Sequence, residues 1–160
     1  MIKIILVGPG ASGKDHFASQ LIKKGAIKSV SYTTRPKRYN EIDGIDYHFI
    51  TTEEFEQKIK DDFWYEWDLF RPEEGWYYGQ SREDMVNCNL FIKTVSGVSK
   101  IKSEDRKECT IFYLDIPEEI RMERLNERKD RDNPERRIIS DRKDFKDFTD
   151  YDIVIKNFDF

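Results

Sequence analysis

The segment with the clearest chemistry is the octapeptide GPGASGKD at residues 8–15, which directly follows the apolar residues 2–7. In a glycine-rich loop of this kind, successive backbone N–H groups point at one spot, and the N-terminus of the next helix adds positive potential that suits polyphosphate. Lys14 would add a mobile positive charge for the β- and γ-phosphates of a nucleotide. The sequence therefore predicts a phosphate loop, formed by Gly8, Pro9, Gly10, Ala11, Ser12, Gly13, Lys14 and Asp15.

Asp15 occupies the position where this pattern usually ends in Ser or Thr. The usual hydroxyl binds the Mg²⁺ ion that bridges the nucleotide phosphates. A carboxylate is also a hard oxygen ligand, which could hold the metal directly or through a water molecule. We therefore predict Mg²⁺ as the cofactor and Asp15 as its ligand.

The elements on both sides of the loop support this interpretation. Residues 2–7 are a short, branched apolar run typical of a buried strand, and residues 16–24 place Phe17, Leu21 and Ile22 at helical spacing before Gly25. A strand before the loop and a helix after it is the context that phosphate binding requires.

Further along the chain, strand-like and helix-like segments alternate. We predict strands within residues 27–32, 89–95, 109–116 and 151–156, and helices that begin at the capping box Thr51-x-x-Glu54, at Pro117 and at Pro134. We expect residues 61–79 to be irregular, with most of their aromatic side chains packed in the core or the lid and one or two available to line a base pocket. Alternating strands and helices indicate an α/β fold with a parallel sheet, whose ligand lies beyond the carboxyl ends of the strands.

Composition limits the class of protein. A length of 160 residues fits one domain, and a net charge of −4 with 38% charged residues of both signs argues against a protein that coats nucleic acid. Cys88 and Cys109 lack the spacing of a metal site, and we expect reduced thiols. The N-terminal apolar run is too short for a signal peptide or a membrane span. We therefore expect a cytoplasmic protein with no nucleic-acid or membrane partner.

A longer pattern resembles a known family. Residues 31–38, SYTTRPKR, and residues 41–49, EIDGIDYHF, closely resemble the nucleotide-monophosphate-binding segment of guanylate kinases. Residues 65–67 (YEW), 77–79 (YYG) and 136–157 extend the resemblance to nearly the whole chain. It implies the P-loop NTPase three-layer fold with ATP as phosphoryl donor. It also implies a single domain with a core at about 1–32 and 80–160, a nucleoside-monophosphate (NMP) binding subdomain at about 33–79, and an arginine lid at about 126–136.

The resemblance also implies an acceptor site for the monophosphate. It contains two arginines whose planar guanidinium groups hold the acceptor phosphate, two tyrosines that donate hydrogen bonds to the same phosphate, and two residues that contact the guanine base. In this order they are Arg35 and Arg38, Tyr47 and Tyr78, and Ser31 and Glu66.

Matching the rest of the chain assigns Arg128 and Arg137 to the lid that neutralises the transferring phosphoryl group, and Asn157 to a position near the adenine of ATP. With Lys14 and Arg35, the two lid arginines form the predicted catalytic set. We expect the remaining arginines of this region to pair with nearby carboxylates. These arginines are Arg124, Arg136 and Arg142, and the carboxylates are Glu123, Glu127, Asp141 and Asp144.

Two positions depart from the family pattern. Gln80 stands where a Ser or Thr usually contacts the base, and Thr94 lies where the family carries acidic residues; we assign both to the NMP site. GMP or dGMP is the leading acceptor. The alternatives are a kinase of the same fold for another (deoxy)nucleoside monophosphate or a ribose phosphate, and a non-catalytic module that binds phosphopeptides. The retained Lys14 argues against that module. The expected partners are small nucleotides, with a monomer and a homodimer both open.

Overall fold

A computed structural model describes residues 1–70, 72–128 and 133–157. The strands are β1 (Lys3–Val7), β2 (Tyr32–Thr33), β3 (His48–Phe49), β4 (Trp64–Phe70), β5 (Trp76–Ser81), β6 (Leu90–Ile92), β7 (Cys109–Leu114) and β8 (Ile153–Ile155). The helices are α1 (Lys14–Lys23), α2 (Thr52–Lys60), α3 (Arg82–Asn87), α4 (Val95–Ser99), α5 (Ser103–Arg106), α6 (Glu118–Glu127) and α7 (Pro134–Phe145).

The chain divides into two compact units. The first consists of Met1–Ala26 and Ile92–Phe160, and the second of Ile27–Phe91. The predicted boundaries of the core, the NMP-binding subdomain and the lid stay predictions, and residues 129–132 of the lid lie outside the described residues. Among the described helices, none has the length and apolar character needed to cross a membrane.

The first sheet has the strand order β6-β1-β7-β8. Strand β1 runs parallel to β7, and β7 runs parallel to β8. The centre of this sheet is fully buried and aliphatic, with Ile5, Leu6 and Val7 on β1 and Ile111 and Leu114 on β7. Helices separate these strands along the chain, which confirms the predicted α/β class with a parallel sheet. Gly8 therefore starts at the carboxyl end of a central strand, where ligands bind in such folds.

The second unit has a mixed sheet of order β3-β2-β5-β4. Strand β2 is parallel to β3 and antiparallel to β5, and β4 pairs antiparallel with β5. The prediction of an irregular segment at residues 61–79 is therefore wrong. Aromatic residues favour strands, and pairing in a hairpin satisfies the backbone groups of this segment.

Stacked rings hold this second unit together. The ring of Phe55, on α2, stacks on Trp64 at 4.2 Å and on Tyr77 at 4.7 Å between centroids. Phe55 and Trp64 are both buried. Trp64 and Tyr77 thus have the packing role that the sequence predicted for most aromatic residues of this segment, whereas Trp67 and Phe70 are exposed.

Several predicted helix ends are confirmed. Thr51 and Glu54 form the capping box of α2, with both hydrogen bonds at 3.1 Å. Helix α7 begins at Pro134, and Pro117 directly precedes the first residue of α6. The strand expected within residues 27–32 is wrong for most of its length, because β2 contains only Tyr32 and Thr33. In the segment just before β2, Lys28 forms an isolated bridge with Leu90.

Candidate active site

The phosphate loop turns tightly between β1 and α1. Ala11 and Gly13 adopt left-handed backbone angles, with φ of 60° and 91°. A Cβ atom on Gly8 would lie 2.6 Å from Ser12 Oγ and 2.9 Å from the carbonyl oxygen of Leu114. The chain can therefore fold back this closely only with glycine at position 8. The hydroxyl of Ser12 is fully buried without a hydrogen-bond partner in the described structure.

Lys14 is folded back onto its own loop. Its Nζ atom donates hydrogen bonds to the carbonyl oxygens of Gly8 at 2.6 Å and Pro9 at 3.0 Å. Burial disfavours the charged ammonium and lowers the pKa of Lys14 to about 8. The nearby carboxylates of Asp15 and Asp141 oppose this shift. A lysine held by carbonyl oxygens is ready to exchange them for stronger phosphate acceptors.

The two predicted lid arginines come close to the same lysine. The charges of Arg137 and Arg128 both lower the pKa of Lys14, after the larger effect of burial, so both guanidinium groups lie within electrostatic range of it. Arg137 also approaches the loop directly, because its Nε atom would lie 3.5 Å from a Cβ atom on Gly10. Lys14 and Arg137 therefore meet at the phosphate loop, with Arg128 within electrostatic range of the same lysine.

The structure adds residues to this site that the sequence did not indicate. Asp141 Oδ2, on α7, accepts a hydrogen bond from the backbone N–H of Gly10 at 3.0 Å and another from Arg121 Nη1 at 3.3 Å. Arg124 donates to the carbonyl oxygen of Ala11 at 2.9 Å. The pairing of Arg124 with a carboxylate stays a prediction, but this bond gives Arg124 a contact with the phosphate loop that the sequence did not indicate. The helical spacing of Arg121 and Arg124 was the available signal, since it puts both on one face of α6.

Arg35 is the centre of the predicted acceptor site, within the second unit. It is 5% exposed and forms a bidentate ion pair with Glu41, with N–O distances of 2.7 and 3.0 Å. Burial alone would lower the pKa of Arg35, but the hydrogen bonds with Glu41 and Tyr78 outweigh it and raise this pKa. The carboxylate of Glu41 also accepts from the backbone N–H of Arg38 at 2.8 Å. Glu41 thus joins the two predicted phosphate-binding arginines, and the sequence did not identify it.

The two predicted tyrosines surround the same guanidinium group. Arg35 Nε donates to the hydroxyl of Tyr78 at 3.2 Å, and its Cζ atom lies 5.5 Å from the ring centre of Tyr47. The rings of Tyr47 and Tyr78 are 6.0 Å apart. The structure therefore brings together the arginine and both tyrosines that the resemblance assigned to one phosphate.

The predicted base-contacting residues of the second unit also lie near one another. Glu66 on β4 is directly opposite Gln80 on β5, and Gln80 is buried. Ser31 Oγ donates to Gln80 Oε1 at 3.4 Å. The amide nitrogen of Gln80 donates to Asp84 Oδ2 at 3.2 Å. Asp84 was not predicted, and no motif in the sequence marks it.

The other predicted residues lie outside the clusters described above. Thr94 caps α4, accepting from the backbone N–H of Gly97 at 3.0 Å. Asn157 is exposed, two residues beyond β8. Arg142 pairs with Glu118 at 2.6 Å, a carboxylate outside the set expected for it.

The donor atoms near the phosphate loop fit a magnesium ion. Asp15 is exposed in the first turn of α1 and close enough to Lys14 to raise its pKa by charge. Among the described residues, no group of three or more His, Cys, Asp and Glu side chains could hold a metal by itself. Mg²⁺ commonly needs only one or two carboxylates, with substrate phosphates and water completing its shell. A single carboxylate beside a polyphosphate loop meets this requirement.

Comparison with known proteins agrees with this geometry. The family model described as guanylate kinase matches residues 1–160. The guanylate kinase of Wolinella succinogenes is 33% identical over 98% of this chain and 76% of its own length, and that of Pseudoalteromonas translucida is 31% identical over 98% and 79%. The crystal structure of guanylate kinase from Anaplasma phagocytophilum superposes with a TM-score of 0.73 at 25% identity, covering 99% of this chain and 77% of that one.

The chain has a phosphate loop with a lysine and nearby arginines, and the loop lies on a parallel α/β sheet. Together with these matches, this defines a P-loop nucleoside monophosphate kinase. Within that class, the chain belongs to the guanylate kinase family.

Proposed function

We propose that this enzyme transfers the γ-phosphoryl group of ATP to GMP or dGMP, forming ADP and GDP or dGDP. The observation that supports it most strongly is that Lys14 and Arg137 meet at the phosphate loop, with Arg128 within electrostatic range of the same lysine. A phosphoryl group in transfer spreads negative charge over its equatorial oxygens, and cations near one loop suit that charge distribution.

On the donor side, the loop amides and Lys14 would bind the ATP phosphates. Lys14 would leave the carbonyl oxygens of Gly8 and Pro9 for the phosphates, which are stronger acceptors. Arg128 and Arg137 would neutralise the transferring group and exclude water, the competing acceptor. Asn157 would contact the adenine.

Asp15 would hold Mg²⁺, directly or through water. Once bound, the ion would supply charge neutralisation between the β- and γ-phosphates. The chain's own part is to present the Asp15 carboxylate in the first turn of α1, next to Lys14.

On the acceptor side, Arg35 would bind the GMP phosphate with Arg38, Tyr47 and Tyr78. Glu41 and Tyr78 already hold the Arg35 guanidinium in one orientation, so little side-chain entropy remains to be lost on binding. The acceptor phosphate is itself an anion near neutral pH, and its oxygen attacks without a general base.

Four residues would recognise the base. Glu66 would accept hydrogen bonds from the ring N–H and the exocyclic amine of guanine, with Ser31 and Gln80 beside it. Thr94 completes the predicted set. The capping bond of Thr94 uses one lone pair of its hydroxyl, which leaves its proton available.

The proposal extends to the setting of the enzyme. We place it in the cytoplasm, acting on small nucleotides as a monomer or homodimer. The acceptor would bind to the subdomain at about 33–79, and the lid at about 126–136 would close over the donor.

A coupled assay of ADP release, run with Mg-ATP and each ribo- and deoxynucleoside monophosphate, tests this function. We expect GMP and dGMP to give the highest kcat/KM. Preference for another monophosphate or a ribose phosphate would reassign the acceptor. No turnover with any acceptor would contradict the kinase function, and a Lys14→Met variant gives the background rate.

A further inference from the structure

Four polar residues of the second unit form a closed hydrogen-bond cluster around the amide of Gln80. The amide nitrogen donates to both Ser29 Oγ and Asp84 Oδ2, the latter at 3.2 Å. Ser29 Oγ donates in turn to the same Asp84 oxygen at 2.6 Å. On the other side, Gln80 Oε1 accepts from Ser31 Oγ at 3.4 Å. Both hydrogens of the Gln80 amide are therefore engaged on the side of Asp84.

The carboxylate of Asp84 determines which way this amide points. An ionised carboxylate only accepts hydrogen bonds, so the nitrogen of Gln80 must face it. Rotating the amide by half a turn would place its oxygen against the carboxylate oxygen of Asp84, and the N–H groups would lose Asp84 and Ser29 as acceptors. Gln80 is 2% exposed, so water cannot readily replace those partners. The oxygen of Gln80 is thus held toward Ser31.

Glu66 presents further acceptor oxygens on the same side of the sheet. It is directly opposite Gln80 in the β4–β5 ladder, and directly opposed residues project from the same face of a sheet. The face that carries Ser31, Glu66 and Gln80 therefore contains acceptor oxygens of two side chains: the Glu66 carboxylate, and the buried Gln80 Oε1, which accepts from Ser31.

We propose that Asp84 is a positioning residue for base selection. By holding the Gln80 amide in one orientation, Asp84 keeps Gln80 Oε1 and the Glu66 carboxylate as neighbouring hydrogen-bond acceptors, and this arrangement selects guanine over adenine. The inference rests on the proposed function, in which Gln80 and Glu66 contact the base. Guanine offers two adjacent donors on its pairing edge, the ring N–H and the exocyclic amine. Adenine has an acceptor nitrogen in place of that ring N–H, so its lone pair would face the oxygens.

Asp84→Asn removes this control with little change in size. An asparagine amide can donate or accept, so the Gln80 amide becomes free to turn and show its N–H groups to the base. We expect GMP affinity to fall about threefold to tenfold, the effect of one neutral hydrogen bond, and the ratio of GMP to AMP affinity to fall about tenfold. Isothermal titration calorimetry without ATP measures both constants.

Two further variants isolate the mechanism. Ser81→Ala removes the side chain that caps α3 at the backbone N–H of Asp84, so it perturbs the same helix without changing the Asp84 carboxylate. We expect it to keep the wild-type ratio. The double variant Gln80→Glu, Asp84→Asn exchanges the two chemical groups, leaving a donor at 84 and acceptor oxygens only at 80. We expect it to restore the preference for GMP that the single variant loses.

The outcomes separate the inference from the proposed function. If the wild type does not prefer GMP to AMP, the proposed function fails. If the wild type prefers GMP and Asp84→Asn keeps the full preference, the inference alone is overturned. Should Asp84→Asn fail to fold by circular dichroism, the double variant decides, because retained GMP preference supports the positioning role and its loss overturns it.

Discussion

The carboxylate of Asp141 accepts a hydrogen bond from the backbone N–H of Gly10 at 3.0 Å, which places a negative charge of α7 against the phosphate loop. Arg121 shares the same oxygen of Asp141 at 3.3 Å and is itself buried. The carboxylate of Asp141 would repel the phosphates of a nucleotide bound to this loop, so we expect its negative charge to serve another purpose there. The charge of Asp141 raises the pKa of Lys14, against the larger effect of burial, so it helps to keep that lysine protonated.

Asp141→Asn should therefore lower the pKa of Lys14. The amide oxygen can still accept from Gly10, but the negative charge that favours the ammonium is gone. Carbon-13 NMR of labelled lysine side chains should show the Lys14 titration at a pH below the wild-type midpoint of about 8. Asp144→Asn on the same helix is the matched control, and it should leave the midpoint in place. An unchanged midpoint in Asp141→Asn would contradict the electrostatic role.

The pKa of Lys14 also predicts a pH dependence for ATP binding. The phosphates need the ammonium form, and in the free enzyme that form is lost as the pH rises through about 8. ATP affinity should be constant with respect to this group below that pH, and should fall by up to about tenfold per pH unit above it.

Calorimetric titrations from pH 6.5 to 9.5 measure this dependence. Lys14→Arg provides the control, because a guanidinium group stays protonated throughout that range. The Lys14→Arg variant should bind ATP more weakly than the wild type, and its ATP affinity should change less with pH. A wild-type affinity that does not change between pH 8 and 9.5 would show that another group carries the interaction.

The phosphate loop could be read from the sequence because all its parts are contiguous. The strand, the glycines and Lys14 occupy one short stretch, and each residue acts mainly through its own backbone or its own side chain. Asp141 could not be found in this way. It meets Gly10 across 131 positions of the chain, and only the packing of α7 brings it there.

Partners of predicted residues were missed even when they lie near in sequence. Glu41 is six positions from Arg35, but a single acidic residue in a polar loop carries no signal for a bidentate pair. The β4–β5 hairpin was missed for a different reason. Its residues 65–69 (YEWDL) alternate between apolar and charged side chains, which is the pattern of a half-buried strand, but the aromatic residues at both ends, Trp64 and Phe70, interrupt that pattern.

Breaking the buried pair between Arg35 and Glu41 should destabilise the protein. Glu41→Gln leaves the guanidinium charge of Arg35 buried without its counter-charge, although the amide oxygen still accepts one hydrogen bond. The expected loss is about 3 kcal/mol in the free energy of unfolding. Urea unfolding followed by circular dichroism measures it.

The control for this pair is Asp62→Asn, which breaks the exposed ion pair with Arg82 and should cost less than about 1 kcal/mol. A pH series adds a second test. Burial tends to raise the pKa of Glu41, but hydrogen bonds from Arg35 and Arg38 outweigh it and lower it. The stabilisation is therefore fully present above the unfolded-state pKa near 4.5 and is lost as the pH falls through the lower folded-state pKa. The acid limb of the wild-type stability curve should be steeper than that of Glu41→Gln.

Asp15 should control the magnesium requirement of the enzyme. Asp15→Ala removes the oxygen that holds the ion directly or through water, so the Mg²⁺ concentration for half-maximal ATP binding should rise at least about tenfold. Asp15→Ser supplies the hydroxyl found at this position in the usual motif and should recover most of the affinity. Calorimetry of ATP binding at several Mg²⁺ concentrations gives a readout independent of turnover. Equal requirements in the wild type and Asp15→Ala would refute the assignment.

Gly79 should tolerate no side chain, because stacked rings close the space above it. A Cβ atom there would lie 2.8 Å from Phe55 Cζ and 2.8 Å from Trp64 Cε3, and these two rings already stack at 4.2 Å. Gly79→Ala must push the rings apart, and overpacking of this kind costs about 1 to 3 kcal/mol.

Two comparisons make the Gly79 prediction specific to packing. Gly44→Ala has open space around it but a φ of +81°, so it should cost about 1 kcal/mol from backbone strain alone. Adding Phe55→Leu to Gly79→Ala removes the ring atom that the new methyl group meets. The double variant should therefore lose less stability than the two single changes add up to. Strict additivity in urea unfolding would mean that the two residues do not compete for the same space.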